Sequence, residues 1–194
     1  MTKLLYMLLL TFFIIGCSQY KFIITMVEPA GKAADPAGMA YSDSLININF
    51  KITRKKIIIQ LKNTGPEAIK IDWNQVYFKS IEGKLIPVYH GSDRPGGIIK
   101  HRKPTFIPSF GSLDDHIIPV TLFHNEGGIW LQDDLLKISF IERGYNIQKY
   151  IGMRFHVILA FYTGNSLAKY DFAFEIQDVI KTKEPGLSND NSNK

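Results

Sequence analysis

The clearest pattern in the chain is an alternation of apolar and polar residues at positions 45–52, which read LININFKI. A period of two places every second side chain on the same face of an extended chain, so this pattern predicts a strand with one buried face. A basic segment, TRKK at 53–56, follows, and another apolar run begins at Ile57. We expect these two runs to pair as a hairpin across the basic turn.

Residues 57–90 continue as short β-branched and aromatic runs separated by glycine, proline and asparagine. Such runs are typical of antiparallel strands. The segment NTGP at 63–66 has the residue types of a turn, and Gly83 marks another. Trp73 lies where a large apolar side chain would pack between two sheets. The alternative for Trp73 is an exposed platform on which a sugar or a base stacks.

The rest of the chain repeats this pattern. An apolar run at 20–27 predicts a first strand, and residues 28–44, rich in glycine, proline and alanine, predict a loop or flexible linker. Further strands are predicted at 105–108, 116–120, 137–142, 154–162 and 170–177, a turn at 126–128 and a short helical turn at 130–135. Prolines 108 and 119 indicate edge positions or strand ends. Eight or nine short strands with almost no helical periodicity predict an all-β sandwich.

The first residues have a different character. Lys3 is followed by an apolar run at 4–15 and then by Gly16 and Cys17. A cationic start, about a dozen apolar residues and a small residue describe a secretory signal peptide. The run is shorter than the roughly 20 apolar residues of a spanning helix. Residues 14–17, IIGC, resemble the lipobox of bacterial lipoproteins.

This resemblance implies diacylglycerol on the Cys17 sulfur, cleavage before Cys17 and a membrane as the partner of the lipid. Ser18, in place of an aspartate, implies the outer membrane of a double-membraned bacterium. Cys17 is the only cysteine of the chain, so with its sulfur lipidated we expect no disulfide and no thiolate metal site. We expect no cofactor.

The chain therefore divides into four predicted parts. Residues 1–16 are the signal peptide, and 17–44 hold the lipidated cysteine, the first strand and a flexible linker. Residues 45–180 form the single β-sandwich domain. Residues 181–194 form a polar tail, KTKEPGLSNDNSNK, in which we expect disorder because it has little apolar surface to bury.

The middle of the chain also resembles the immunoglobulin-like domains of uncharacterised bacterial lipoproteins. The resemblance implies an immunoglobulin-like antiparallel β-sandwich in the cell envelope and transfers no catalytic residue. It covers about half the chain, including the Ile-Pro pairs at 107–108 and 118–119, and the matching residues are Ile59, Leu61, Asn63, Ile69, Ile71, Asp72, Trp73, Asn74, Gly83, Lys84 and His90.

Charge is a weaker constraint. The whole chain carries +5, and loss of Lys3 with the signal peptide leaves about +4. A mild positive excess is compatible with an anionic membrane surface and also with an ordinary soluble surface. We expect no nucleic-acid partner, because an exported protein rarely meets nucleic acid.

The best surface candidate is the glycine-rich basic loop at 91–103. Arg94, Lys100, Arg102 and Lys103 could together bind an anionic glycan, a lipid headgroup or an acidic protein patch. The alternative is a solvated connector with no ligand.

Catalytic chemistry finds little support in the sequence. The five histidines are widely spaced, and although ligands in a sandwich can come from distant strands, no two lie two or four residues apart, so we expect no metal site. The triplet DDH at 114–116 could belong to a calcium loop or an acid/base site, but turn residues leading into a strand explain it as well. The pair DD at 133–134 would point to opposite faces of a strand. We therefore expect a non-catalytic structural or protein-interaction role, with other envelope proteins as candidate partners. The alternative is a binding lipoprotein for an anionic glycan or lipid headgroup.

Overall fold

The computed structural model describes residues 19–29, 39–91, 93–97, 102–136 and 147–182. These residues form thirteen strands and three short 3-10 helices, Trp73–Gln75, Val120–Leu122 and Ile147–Tyr150, with no α-helix among them. The strands are β1 (Gln19–Glu28), β2 (Ala40–Ser42), β3 (Ile46–Ile52), β4 (Ile57–Asn63), β5 (Ile69–Ile71), β6 (Tyr77–Lys79), β7 (Leu85–His90), β8 (Thr105–Ile107), β9 (Ser112–Pro119), β10 (Phe123–Glu126), β11 (Ile129–Gln132), β12 (Arg154–Thr163) and β13 (Ser166–Thr182). In this part of the chain no helix is long or apolar enough to cross a membrane.

All strand pairs are antiparallel. Eleven of the strands form two sheets that share β7. In the first sheet β13 pairs with β1 on one side and with β12 on the other, and β12 then pairs with both β6 and β5 along its length. In the second sheet the order is β9-β4-β3-β2. Residues 85–87 of β7 pair with β6, whereas residues 88–90 pair with β9, so β7 passes from one sheet to the other. Strand β8 pairs with β5, and β10 and β11 form a separate hairpin.

The core lies between the two sheets, and the alternation of β3 supplies one side of it. Ile46, Ile48 and Phe50 are buried, whereas Asn49 and Lys51 between and after them are exposed. The Phe50 ring lies 4.8 Å from that of Phe172 in the opposite sheet, measured between centroids. This packing confirms the predicted all-β sandwich, and the pairing of β3 with β4 confirms the predicted hairpin. The immunoglobulin-like assignment stays a prediction.

Two expectations differ from the structure. Residues 129–132 are a strand and not a helical turn, because the turn at Gly127 and Gly128, both with positive φ, folds β11 back onto β10. The sandwich also begins before residue 45. Strand β1 pairs with β13, and β2, within the predicted linker, pairs with β3, so both belong to the sheets.

Several predictions fall outside the described residues. They concern the signal peptide, the lipidated Cys17, part of the linker, Lys100, the strand at 137–142 and the tail beyond Thr182. They stay predictions. The first two residues of the predicted tail, 181–182, differ from the prediction, because they pair with β1 as the end of β13.

Candidate functional site

The cations of the predicted anion site have different environments. Arg94 and Lys103 are exposed, whereas the Arg102 side chain is only 8% exposed. Lys100 lies outside the described residues. Anion binding at this loop therefore stays a prediction for Arg94 and Lys103, and the structure differs from the expectation of a surface cation at Arg102.

The Arg102 guanidinium joins three parts of the chain. Its Nη1 donates to the Val88 carbonyl of β7 and, at 3.2 Å, to Asp93 Oδ2. Its Nη2 donates to the Trp73 carbonyl at 2.5 Å. A guanidinium carries several N–H donors in a fixed planar fork and stays charged, so it can satisfy several inward-facing acceptors at once. The guanidinium of Arg102 thus binds acceptors within the fold and does not face an external anion.

His90, at the end of β7, lies near the same Asp93 oxygen that Arg102 contacts. Its ring stacks on Trp73 with centroids 3.7 Å apart and planes 9° apart. Its Nδ1 lies 3.1 Å from Asp115 Oδ2, and its Nε2 lies 3.9 Å from Asp93 Oδ2. Burial by itself would raise the pKa of Asp115, but hydrogen bonds from His90 and from the His116 N–H outweigh it and lower that pKa below its ordinary value. The Asp115 carboxyl is therefore held in its ionised form.

A histidine paired with a carboxylate is an arrangement that general-base catalysis uses. Here one face of the His90 ring is covered by Trp73, and each ring nitrogen faces a carboxylate. The alternative interpretation of Trp73 as an exposed stacking platform is wrong, because Trp73 is 1% exposed and its Nε1 donates to Thr105 Oγ1 at 2.8 Å. The core position predicted for Trp73 is confirmed. This cluster stabilises the end of β7 and the adjoining loop.

The acidic triplet at 114–116 also differs from its expected place. It lies within β9 and not in a turn, and it pairs with residues 58–60 of β4.

Asp134 contacts Arg54 at 2.7 Å and Lys55 at 2.9 Å, so its carboxylate forms ion pairs with the turn between β3 and β4. Over the described ranges no group of three or more His, Cys, Asp or Glu side chains is placed to hold a metal ion.

The loop at 93–97 is packed against the β10–β11 hairpin. The Gly96 N–H donates to the Tyr89 hydroxyl at 3.0 Å, and a Cβ at Gly96 would lie 2.4 Å from Trp130 Cζ2. Glycine is favoured at position 96 for two reasons: a Cβ would clash with the Trp130 ring, and φ is +76°, in the left-handed region. The same hairpin leaves Ile129 65% and Leu131 40% exposed.

A second exposed surface with apolar side chains crosses the first sheet near the start of β13. Strand register aligns Phe106 of β8, Lys70 of β5, Tyr162 of β12 and Leu167 of β13, and we call these four residues the outer row. Cross-strand partners point to the same face of a sheet. The neighbouring residues of the same strands, Ile69, Ile71, Phe161 and Ile107, are buried, so the outer row faces away from the core.

The outer row is held in place by its own contacts. Lys70 Nζ lies 4.5 Å from the centroid of the Tyr162 ring, a cation–π contact. Gln75 Nε2 donates to the Tyr162 hydroxyl at 2.8 Å. Phe106 is nevertheless 69% exposed and Leu167 43% exposed. Two exposed apolar side chains thus flank a hydrogen-bonded aromatic ring and a cation on one face of the sheet.

The edge beside the outer row is short. Three residues of β8 pair with β5, and Pro104 and Pro108 flank them. Proline removes a backbone donor, so addition of a partner strand here would be limited to a few hydrogen bonds. The prediction that Pro108 marks a strand end is confirmed. A molecule that binds here would be recognised by side chains.

Sequence reasoning identified the strand that carries Phe106 but not the outer row, because the row depends on the register of four strands. The pairing of His90 with Asp115 was missed for a similar reason, since the two residues lie on neighbouring strands. No family model, no curated protein and no solved structure matches this chain. A function must therefore be inferred from the described geometry.

Proposed function

We propose that this chain is a lipid-anchored protein of the bacterial cell envelope that binds another envelope protein and has no catalytic activity. The anchor is Cys17, supported by Lys3, the apolar run at 4–15 and Gly16 before it. Two or three acyl chains hold a protein on a membrane where one chain gives only marginal binding. The outer membrane and an immunoglobulin-like domain belong to the same proposal.

The outer row is the observation that carries the interaction role. Single exposed apolar residues are ordinary on protein surfaces, whereas an aligned set on a rigid face is typical of an interaction surface. Binding to such a face orders few groups, which lowers the entropic cost. Lys70 and the exposed Lys169, which lies two residues beyond Leu167 on β13, favour a partner that presents carboxylates around an apolar centre.

The test is a capture experiment with the lipidated chain in its own envelope. A photoreactive residue at position 106 should cross-link to one envelope protein, and that product should disappear when unlabelled purified chain competes. In that competition the Phe106→Ser/Leu167→Ser double variant should be about 30- to 700-fold weaker than the parent, since each exposed apolar anchor contributes roughly 1–2 kcal/mol to binding and the two losses add.

Matched controls separate this role from the other proposals. The Ile129→Ser/Leu131→Ser variant removes equally exposed apolar side chains from the β10–β11 hairpin and should compete like the parent. The Cys17→Ser variant should lose palmitate labelling and remain an unprocessed precursor. Equal competition by the outer-row variant and the parent would rule out the outer row, and palmitate on the Cys17→Ser chain would rule out the anchor.

A further inference from the structure

The end of the sheet where β1 begins and β13 finishes has a defined surface. Here Tyr20 is paired with Lys181, and Lys21 with Ile180. Lys21 and Lys181 are exposed, and Ile180 is 44% exposed. Tyr20 is half-buried, packed against a small core that contains Tyr150 and Val179. The two pairs lie on opposite faces of the sheet, and together they surround its end. We call Tyr20, Lys21, Ile180 and Lys181 the anchor-end surface.

The position of Cys17 in the chain ties this surface to the proposed lipid anchor. Cys17 precedes Gln19, the first residue of β1, by two positions. Two residues span at most about 7 Å even when fully extended. The acyl chains at Cys17 therefore hold the start of β1 within about 7 Å of the bilayer surface, close enough for docking, while the orientation of the sheet end is left to its own side chains. Because β1 is paired with β13, the end of β13 lies near the bilayer as well.

The chemistry of the anchor-end surface matches such a position. Two lysines can reach anionic headgroups, an exposed isoleucine can enter the outer edge of the acyl region, and a tyrosine suits the boundary between polar and apolar layers. The exposed Asp178, two residues before Ile180, offsets part of this positive charge. One carboxylate beside two ammonium groups still leaves a net cationic end.

We infer that the anchor-end surface docks directly on an anionic membrane, so that β13 stands away from the bilayer and presents the outer row to the aqueous side. Leu167 and Ile180 are thirteen positions apart on β13, or about 40 Å of strand. The segment at 30–38 comes after β1 and so cannot act as a tether between lipid and sheet. This inference rests on the proposed lipidation of Cys17.

The test uses one thiol-reactive, environment-sensitive fluorophore on the purified lipidated chain. Because the single native cysteine is alkylated in the proposed mature protein, Ile180→Cys provides one free thiol, and Leu167→Cys provides the control at the other end of β13. Both are placed on vesicles of equal parts phosphatidylglycerol and phosphatidylcholine that contain a lipid with a nitroxide in its headgroup. The label at position 180 should be quenched strongly and blue-shifted, and the label at position 167 should be unaffected.

The charge contribution is measured in the same assay. Adding Lys21→Ser and Lys181→Ser to the Ile180→Cys chain should lower the docked-to-undocked ratio about 30-fold, since each lysine near an anionic surface contributes about fivefold. Pure phosphatidylcholine vesicles should give the same loss. Equal quenching at positions 180 and 167 on a palmitate-labelled, vesicle-bound chain would overturn the docking while leaving the anchor intact. Absence of palmitate from the parent chain would overturn both.

Discussion

Replacing Arg102 with methionine should destabilise the fold by about 3 kcal/mol. Methionine keeps much of the side-chain length but removes the charge and the donors that now serve the Val88 carbonyl, the Trp73 carbonyl and Asp93. Removing one partner of a buried charged pair costs about 3–5 kcal/mol. Asp93 is 25% exposed, so water replaces part of the lost contact, which places the expected cost near the lower end.

The assay is urea unfolding of protein expressed from Ser18 onward, which lacks both the apolar segment and Cys17. With an m-value of about 2 kcal/mol/M, the loss lowers the urea midpoint by about 1.5 M. Lys103→Met, at the exposed neighbouring position, is the matched control and should change stability by less than about 0.5 kcal/mol. If Arg102→Met unfolds within about 0.3 M of the parent, the internal role of this arginine is refuted.

The internal contacts of Arg102 also change how anion binding at the basic loop has to be tested. A variant that replaces all four loop cations would lose the internal contacts of Arg102 and report on stability as well as on binding. Arg94→Ser/Lys103→Ser, with Arg102 retained, removes exposed charge and leaves those contacts in place.

Two further predictions concern the cluster around His90. Trp73→Ala should lower the free energy of unfolding by about 3–5 kcal/mol, because Trp73 is 1% exposed. Trp73→Phe should remove a blue-shifted fluorescence component and leave the emission of Trp130, which is 45% exposed. A melting temperature of Trp73→Ala within a degree or two of the parent would contradict the buried position. The lowered pKa of Asp115 stabilises the fold above the ordinary aspartate pKa of about 3.9, and this stability is lost as the pH falls below that value toward the folded-state pKa. Asp115→Asn should therefore reduce the loss of unfolding free energy between neutral pH and about pH 2, whereas an unchanged pH profile would show that this carboxylate is not held ionised by the fold.

Local pattern alone was enough to predict most strands and the inward face of β3. The alternation of β3 placed Ile46, Ile48 and Phe50 on the buried side, and the basic turn after it predicted its pairing with β4. Both predictions depend only on neighbours in the sequence, because side-chain direction in a strand repeats every second residue. The error at residues 130–135 has a different origin, since the Gly127-Gly128 pair is a local signal for a two-residue hairpin loop that was interpreted only as a turn.

Tertiary structure decided the role of each polar side chain and the composition of the exposed surface. Arg102 has the sequence environment of a surface loop cation, yet the carbonyls that surround it come from residues 14 and 29 positions away. His90 and Asp115 meet because β7 and β9 are neighbours, and the outer row exists because four strands share one register. The apolar and polar pattern by itself determined that this chain forms strands and which face of β3 is buried, because side-chain direction in a strand repeats every second residue. Which strands pair, and therefore which charges are neutralised inside and which side chains remain for a partner or a membrane, depends on contacts between distant segments that only the folded chain brings together.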